Sequence, residues 1–299
     1  MLLFFPAMTH QNHATRVPPA MYVLIAVLLW STGGLFIKLT TLDAYQVTFF
    51  RSLLAAITVA ILTRKQGLKI NAFGVLTSII YAALLFLFVW ATKKTTAANA
   101  IFLQYTAPIY ILILAPFVIG EKFHWRDLVT VIFCIGGMSL FFVGKLEIAD
   151  YQGNVAALCS GVFLGLYIML LRHPKAEGFN PAIAVIYGNL LLALLTLPSG
   201  LAALPIMVPL DWLAVSFLGI IQIGISYILF IRGVTGGTRP LDASIIGFIE
   251  PLLNPVWVFL FLGERPSTWA LLGGAIIVST VVVHTLIQYR GPRPGANLA

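Results

Sequence analysis

Charge is what this sequence has least of: Asp, Glu, Lys and Arg make up 9% of its 299 residues, where a soluble domain carries about a quarter. That scarcity excludes a water-soluble globule. Ten acids against 18 bases leave a formal charge of +8. No basic run is interleaved with aromatics, so nucleic acid is excluded as a partner and the excess reads as loop positives that orient a membrane protein. The two cysteines, Cys134 and Cys159, fall inside apolar runs, with neither the setting of an extracellular disulfide nor the spacing of a metal site. There is no Walker motif, so ATP is not the direct energy source. No nucleophile and base, paired intramembrane aspartates or His-rich ligand set can be named, and His284 stands alone. We therefore expect no catalytic residues, no metal, no cofactor and no enzymatic activity. The opening "MLLFFPAM" lacks the charged start of a signal peptide, and residues 1–18 and 291–299 are expected to be disordered ends.

What the sequence has in abundance is apolar length. Hydrophobic residues make up 60% and mean hydropathy is +0.99. Runs of about 20 residues recur, each able to cross a hydrocarbon core of roughly 30 Å as a helix. They lack the period-two alternation of a transmembrane barrel. Charged and Gly/Pro-rich punctuation divides the chain into ten spans, 20–39, 45–63, 72–92, 98–119, 127–144, 153–171, 181–200, 211–232, 243–262 and 268–288. Ten spans put both termini on one side. Twelve Lys and Arg flank the spans there and five flank them on the other side, with Arg51 left out as intramembrane. The positive-inside rule then predicts cytoplasmic termini.

An offset of 143 residues aligns Thr92 with Thr235, Pro108 with Pro251, Gly120–Glu121 with Gly263–Glu264, and Lys122 with Arg265. The stretches "QYTAPIYILILAPFVIGEK" and "GFIEPLLNPVWVFLFLGER" read as one element used twice. Five spans per half is an odd number, so the halves insert with opposite orientation. The expected fold is an all-α polytopic membrane protein, ten transmembrane helices in a five-plus-five inverted repeat around a central cavity, with repeats over 19–145 and 146–290. Inverted repeats hold substrates near the midplane and can exchange inward-open and outward-open shapes.

Polar groups in hydrocarbon cost free energy unless they meet a partner or water, so spans rich in them are candidate cavity walls. Span 9 places Glu250, Asn254 and Trp257 on one helical face, with Pro251 and Pro255 freeing backbone carbonyls one turn earlier. Glu250 can contact a substrate, carry a coupling proton or simply brace a kink. Span 4 offers Asn99, Gln104, Tyr105 and Tyr110 around a third candidate hinge, Pro108. Trp30 and Lys38 come from span 1, Tyr81 from span 3, Tyr167 from span 6, and Gln222 and Tyr227 from span 8. Spans 1, 3, 4, 6, 8 and 9 are expected to enclose the cavity, with 5 and 10 outside. The bland reading of any one Tyr or Trp is an interfacial anchor, and that of Gly161 and Gly165 is close helix packing. Arg51 either snorkels outward or meets a substrate carboxylate. Arg232 or Arg239 is expected to be a better-placed partner for Glu250.

The ten spans, with "LLWSTGGLFIKL", "TAPIYILILAPFVIGEKF" and "IEPLLNPVWVFLFLGERPS", resemble the drug/metabolite transporter superfamily in its EamA-type branch, and within it the bacterial aromatic amino acid exporters. The resemblance covers about residues 20–290. It implies secondary export of amino acids or related metabolites across the bacterial inner membrane, and it carries over to Pro108, Gly120, Glu121, Glu250, Pro251, Gly263 and Glu264. Ala107 stands opposite Glu250, so that acid has no twin. The leading expectation is a multi-pass inner-membrane exporter of aromatic or other hydrophobic amino acids working by alternating access, its partners a small-molecule substrate and the bilayer. Two halves in one chain mean that a monomer could suffice. The alternatives are a multidrug exporter of lipophilic cations and, in another class, a receptor or scaffold.

Overall fold

The computed structural model describes residues 17–95, 97–140, 143, 151–262 and 268–290. Each of the ten expected spans coincides with a helix or a broken helix. The first half contains α1 (Pro19–Trp30), α2 (Gly33–Leu39), α3 (Ala44–Thr63), α4 (Ala72–Lys94), α5 (Ala97–Gln104), α6 (Ala107–Val118) and α7 (Trp125–Leu140). The second contains α8 (Tyr151–Leu170), α9 (Ile183–Leu195), α10 (Leu197–Ala203), α11 (Pro209–Ser216), a π-helical stretch Phe217–Ile225, α12 (Ser226–Thr235), α13 (Pro240–Gly247), α14 (Ile249–Leu262) and α15 (Thr268–Arg290). By length and composition seven helical runs among the described residues can cross a bilayer, or eight if α9 and α10, bent by 67°, count as one. The other two expected spans fall on α7, 16 residues long, and on the interrupted pair α13–α14. Among the described residues all regular structure is helical, as a chain in lipid requires when each backbone group must be satisfied within its own segment.

The polar residues at span ends act as caps. The Asp43 side chain accepts from the Gln46 amide while the Gln46 side chain accepts from the Asp43 amide, a reciprocal box that starts α3. Asn71 accepts from the Gly74 amide and starts α4. Four spans are broken where sequence reading expects single helices. In the two matched spans the breaks fall at Tyr105–Thr106 and at Phe248, and the prolines explain them. Pro108 is the second residue of α6, and Pro251 lies in the first turn of α14, where a missing N–H costs nothing but the preceding helix cannot continue through. Pro255 lies among the residues of α14 whose side chains are outside the described set.

The two halves are interleaved. Helix α1 lies against α12, α3 against α9 and the π stretch, α4 against α8 and α9, α5 and α6 against α8, and α7 against α15. Gly161 on α8 shows how closely they meet: a Cβ there would lie 2.8 Å from the carbonyl oxygen of Gln104, the oxygen that Pro108 leaves without its helical donor. The small-residue spacing of α8 is thus a packing surface.

The two ends of the bundle differ. On the side of the termini, Arg239 meets Asp127 at 2.7 Å, Glu121 at 3.5 Å and Asp242 at 3.8 Å, Arg172 meets Glu121 at 3.8 Å, and His284 meets Asp242 at 2.9 Å. His284 joins α15 to α13 and also contacts Thr130 of α7 at 3.1 Å. Burial pulls the Arg239 guanidinium pKa down, but the Asp127 hydrogen bond and the Asp242 and Glu121 charges outweigh it and hold the group above its ordinary value. On the opposite side Asp211 is fully buried. It accepts from the Thr40 hydroxyl and the Thr41 amide at 2.7 Å, and from the Thr41 hydroxyl and the Val208 amide at 3.0 Å. Stacking of Phe36 on Phe217, centroids 3.8 Å apart, adds a second tie there.

Candidate functional site

Helices from both halves bring their aromatic residues to one place. Trp30, at the end of α1, has its ring centroid 4.8 Å from Tyr227 and 4.9 Å from Phe230 on α12. Tyr81 on α4 lies 5.1 Å from Tyr167 on α8 and 5.0 Å from Tyr227. Tyr227 is the hub, with Tyr167 at 6.1 Å as well. Such tilted and edge-on contacts suit aromatic quadrupoles. Four of the expected site residues, Trp30, Tyr81, Tyr167 and Tyr227, therefore form one cluster. Gln222 borders it from the π stretch, donating to the Trp30 carbonyl at 3.4 Å; one extra residue per turn is a common device at functional sites.

The other expected residues lie elsewhere or do other work. Glu250 accepts from the Tyr105 hydroxyl at 2.6 Å, and the Tyr105 ring meets Phe248 at 5.6 Å. No Arg side chain reaches Glu250 among the described residues: Arg239 belongs to the ionic group on the terminus side, and Arg232 is exposed. Gln104 donates to the Ser160 hydroxyl at 2.7 Å, which in turn donates to the Leu84 carbonyl, bracing α5, α8 and α4. Tyr110 stands beside Gly165 and makes no ring contact with the cluster among the described residues. Trp257 donates to the Ser31 hydroxyl at 3.0 Å, joining α14 to the break between α1 and α2. The side chains of Lys38, Asn99 and Asn254 lie outside the described residues, as do Gly263 and Glu264.

Two participants come from spans 2 and 7, which the sequence assigns neither to the cavity wall nor to the outer scaffold. Asn189 on α9 donates to the Tyr81 hydroxyl at 3.2 Å. Arg51 on α3 is 6% exposed and has Tyr81 and Tyr227 as electrostatic neighbours. Its position depends on Gly219, where a Cβ would lie 2.9 Å from the Arg51 carbonyl oxygen and 2.6 Å from Leu54. A polar residue deep in an apolar run was the available signal for both. Around the cluster, Trp30 Nε1, Tyr167 Oη, Asn189 Oδ1, Gln222 Oε1 and two nitrogens of Arg51 are buried without a hydrogen-bond partner among the described residues. Buried polar groups are rarely left so.

A cleft of about 440 Å³, open solvent included, enters from the terminus side between α4, α8 and α9. Its lining runs from Lys69, Asn71 and Phe179 inward to Thr77, Ala184 and Tyr167. Tyr167 thus belongs to both the cleft and the aromatic cluster. The arrangement suits a solute with a flat apolar body and polar ends, since rings offer area at low entropic cost while the unpartnered atoms fix orientation.

The model of the EamA-like transporter family matches the chain twice, over residues 18–143 and 151–286. An uncharacterized transporter of Archaeoglobus fulgidus is 27% identical over 89% of this chain and 96% of its own. The pseudopaline exporter CntI of Pseudomonas aeruginosa is 24% identical over 86% and 93%. Human solute carrier family 35 member G1 is 23% identical over 89% and 78%. One crystal structure superposes with a TM-score of 0.76 at 20% identity, covering 91% of this chain and 99% of the other, which is a likeness of fold.

Proposed function

Because this chain belongs to the EamA-like transporter family, we propose that it is a secondary transporter exporting aromatic or other hydrophobic amino acids across the bacterial inner membrane, with both termini in the cytoplasm. The observation that carries this reading is the aromatic cluster built from both halves, Trp30 and Tyr81 from one and Tyr167 and Tyr227 from the other. A site shared between inverted halves changes its exposure when the halves exchange shapes. The cleft that reaches Tyr167 from the terminus side supports loading from the cytoplasm, and the exporter among the relatives supports the direction.

Glu250 is the acid available for coupling, and its hydrogen bond from Tyr105 ties its state to the break between α5 and α6. A second reading, export of lipophilic cations, draws support from that same carboxylate near aromatic faces. Counterflow in proteoliposomes separates the two. We expect labelled phenylalanine or tryptophan to accumulate against an internal load of the same amino acid, with little competition from a lipophilic cationic dye. Glu250→Gln should flatten the pH dependence of that flux. Uptake of the dye without the amino acid would reject the leading reading, and an unaltered pH profile in Glu250→Gln would reject coupling through this acid.

A further inference from the structure

Arg51 is costly to hold where it is, buried within a membrane-spanning helix. An intramembrane guanidinium is tolerated when it pairs with an acid or faces water. Here no acid forms an ion pair with it among the described residues. Its Nε and Nη2 are both buried and both without a hydrogen-bond partner there. These two nitrogens share one edge of the planar group, the edge whose parallel N–H bonds grip both oxygens of a carboxylate. The electrostatic neighbours of the guanidinium are Tyr81 and Tyr227, both members of the aromatic cluster. Tyr227 also has Glu250 within electrostatic reach. Tyr227 thus has both a buried cation and the acid of span 9 as electrostatic neighbours.

We propose that Arg51 is the anchor for the substrate's carboxylate, and that the site selects solutes joining an anionic head to an aromatic or branched apolar body. The proposal rests on the transport reading above and adds which chemical group is held and by which side chain. It also gives a physical reason for lipophilic cations to bind poorly: they would have to lie beside a buried guanidinium at low dielectric.

The test is equilibrium binding to the purified full chain in nanodiscs, comparing phenylalanine with phenylalaninamide, which keeps the ring and the amine but lacks the carboxylate. Wild type should bind the acid at least about 10-fold more tightly, the scale expected of a charge-assisted bidentate contact. Arg51→Gln should abolish the preference, lowering phenylalanine affinity while the affinity for the cationic amide stays the same or rises as the guanidinium's repulsion is removed. Arg51→Lys, which keeps the charge but loses the fork, should retain a reduced preference. Equal binding of both compounds by wild type, or an undiminished preference in Arg51→Gln, would overturn the assignment while leaving the transport reading standing. Binding of neither compound by wild type would overturn both. Should Arg51→Gln fail to fold, an undiminished preference in Arg51→Lys would overturn the bidentate contact.

Discussion

A carboxylate with no water around it must collect donors, and Asp211 collects four: two hydroxyls and two backbone amides from the turn after α2 and the start of α11. Replacing one oxygen by NH₂ would leave a donor facing donors. Asp211→Asn should therefore destabilise the protein by about 2 to 3 kcal/mol, read from the unfolding midpoint in detergent. Asp43→Asn is the control, because Asn caps a helix about as well as Asp; a wild-type midpoint for Asp211→Asn would refute the account. Sequence reading used Asp211 only to mark the start of a span, since a charge at a lipid boundary looks the same whether it faces water or four donors. The same blindness applies to Gln104, whose partner Ser160 lies 56 residues away. Aromatic residues were easier to read: Trp30, Tyr81, Tyr167 and Tyr227 each interrupt an aliphatic run, and burial together is the economical outcome for them.

Among the elements, hydrophobic length located the ten spans and proline located two of the four breaks. The break at Thr196 carries the same signal in Pro198, the second residue of α10, and the break after Trp30 is followed by the two glycines that open α2, but neither is read from the sequence as a hinge. The interface between α8 and α5 allows the sharpest test at this scale. Gly161→Ala would put a methyl group 2.8 Å from the Gln104 carbonyl, which is backbone and cannot turn aside. A loss of about 1 to 3 kcal/mol is expected from such overpacking. Gly136→Ala on α7 has open space within 4 Å and should be neutral or gain up to about 1 kcal/mol in helix propensity. Thermal unfolding of the two variants in parallel checks the contrast, and equal midpoints would show that α8 can shift without cost.

In the whole molecule, the cleft opens on the terminus side while Asp211, Phe36 and Phe217 tie the opposite side together. Accessibility to a membrane-impermeant maleimide should follow this asymmetry. With Cys134 and Cys159 replaced, Thr77→Cys should react in inside-out vesicles and resist in right-side-out ones, and bound phenylalanine should slow the reaction. Phe36→Cys should stay unreactive in inside-out vesicles. Reaction of Thr77→Cys from the outer face alone would reverse the proposed orientation. Asn189 was missed as a site residue, and the sequence left Arg51 open between snorkelling and a substrate contact, because an inverted repeat closes only in three dimensions: spans 2 and 7 carry few polar residues, yet interleaving carries one from each to the centre.

Tyr105 and Phe248 lie 143 residues apart, the offset that relates the two proline-rich spans, and their rings touch at 5.6 Å. A residue in contact with its own repeat equivalent lies on the pseudo-twofold axis. If the halves trade conformations during transport, inter-half contacts off that axis are exchanged for their mirror partners, but this one maps onto itself. The pair is then the fixed point of the cycle, and Glu250, bound to Tyr105 and matched by Ala107, is the place where the two directions of travel cease to be equivalent.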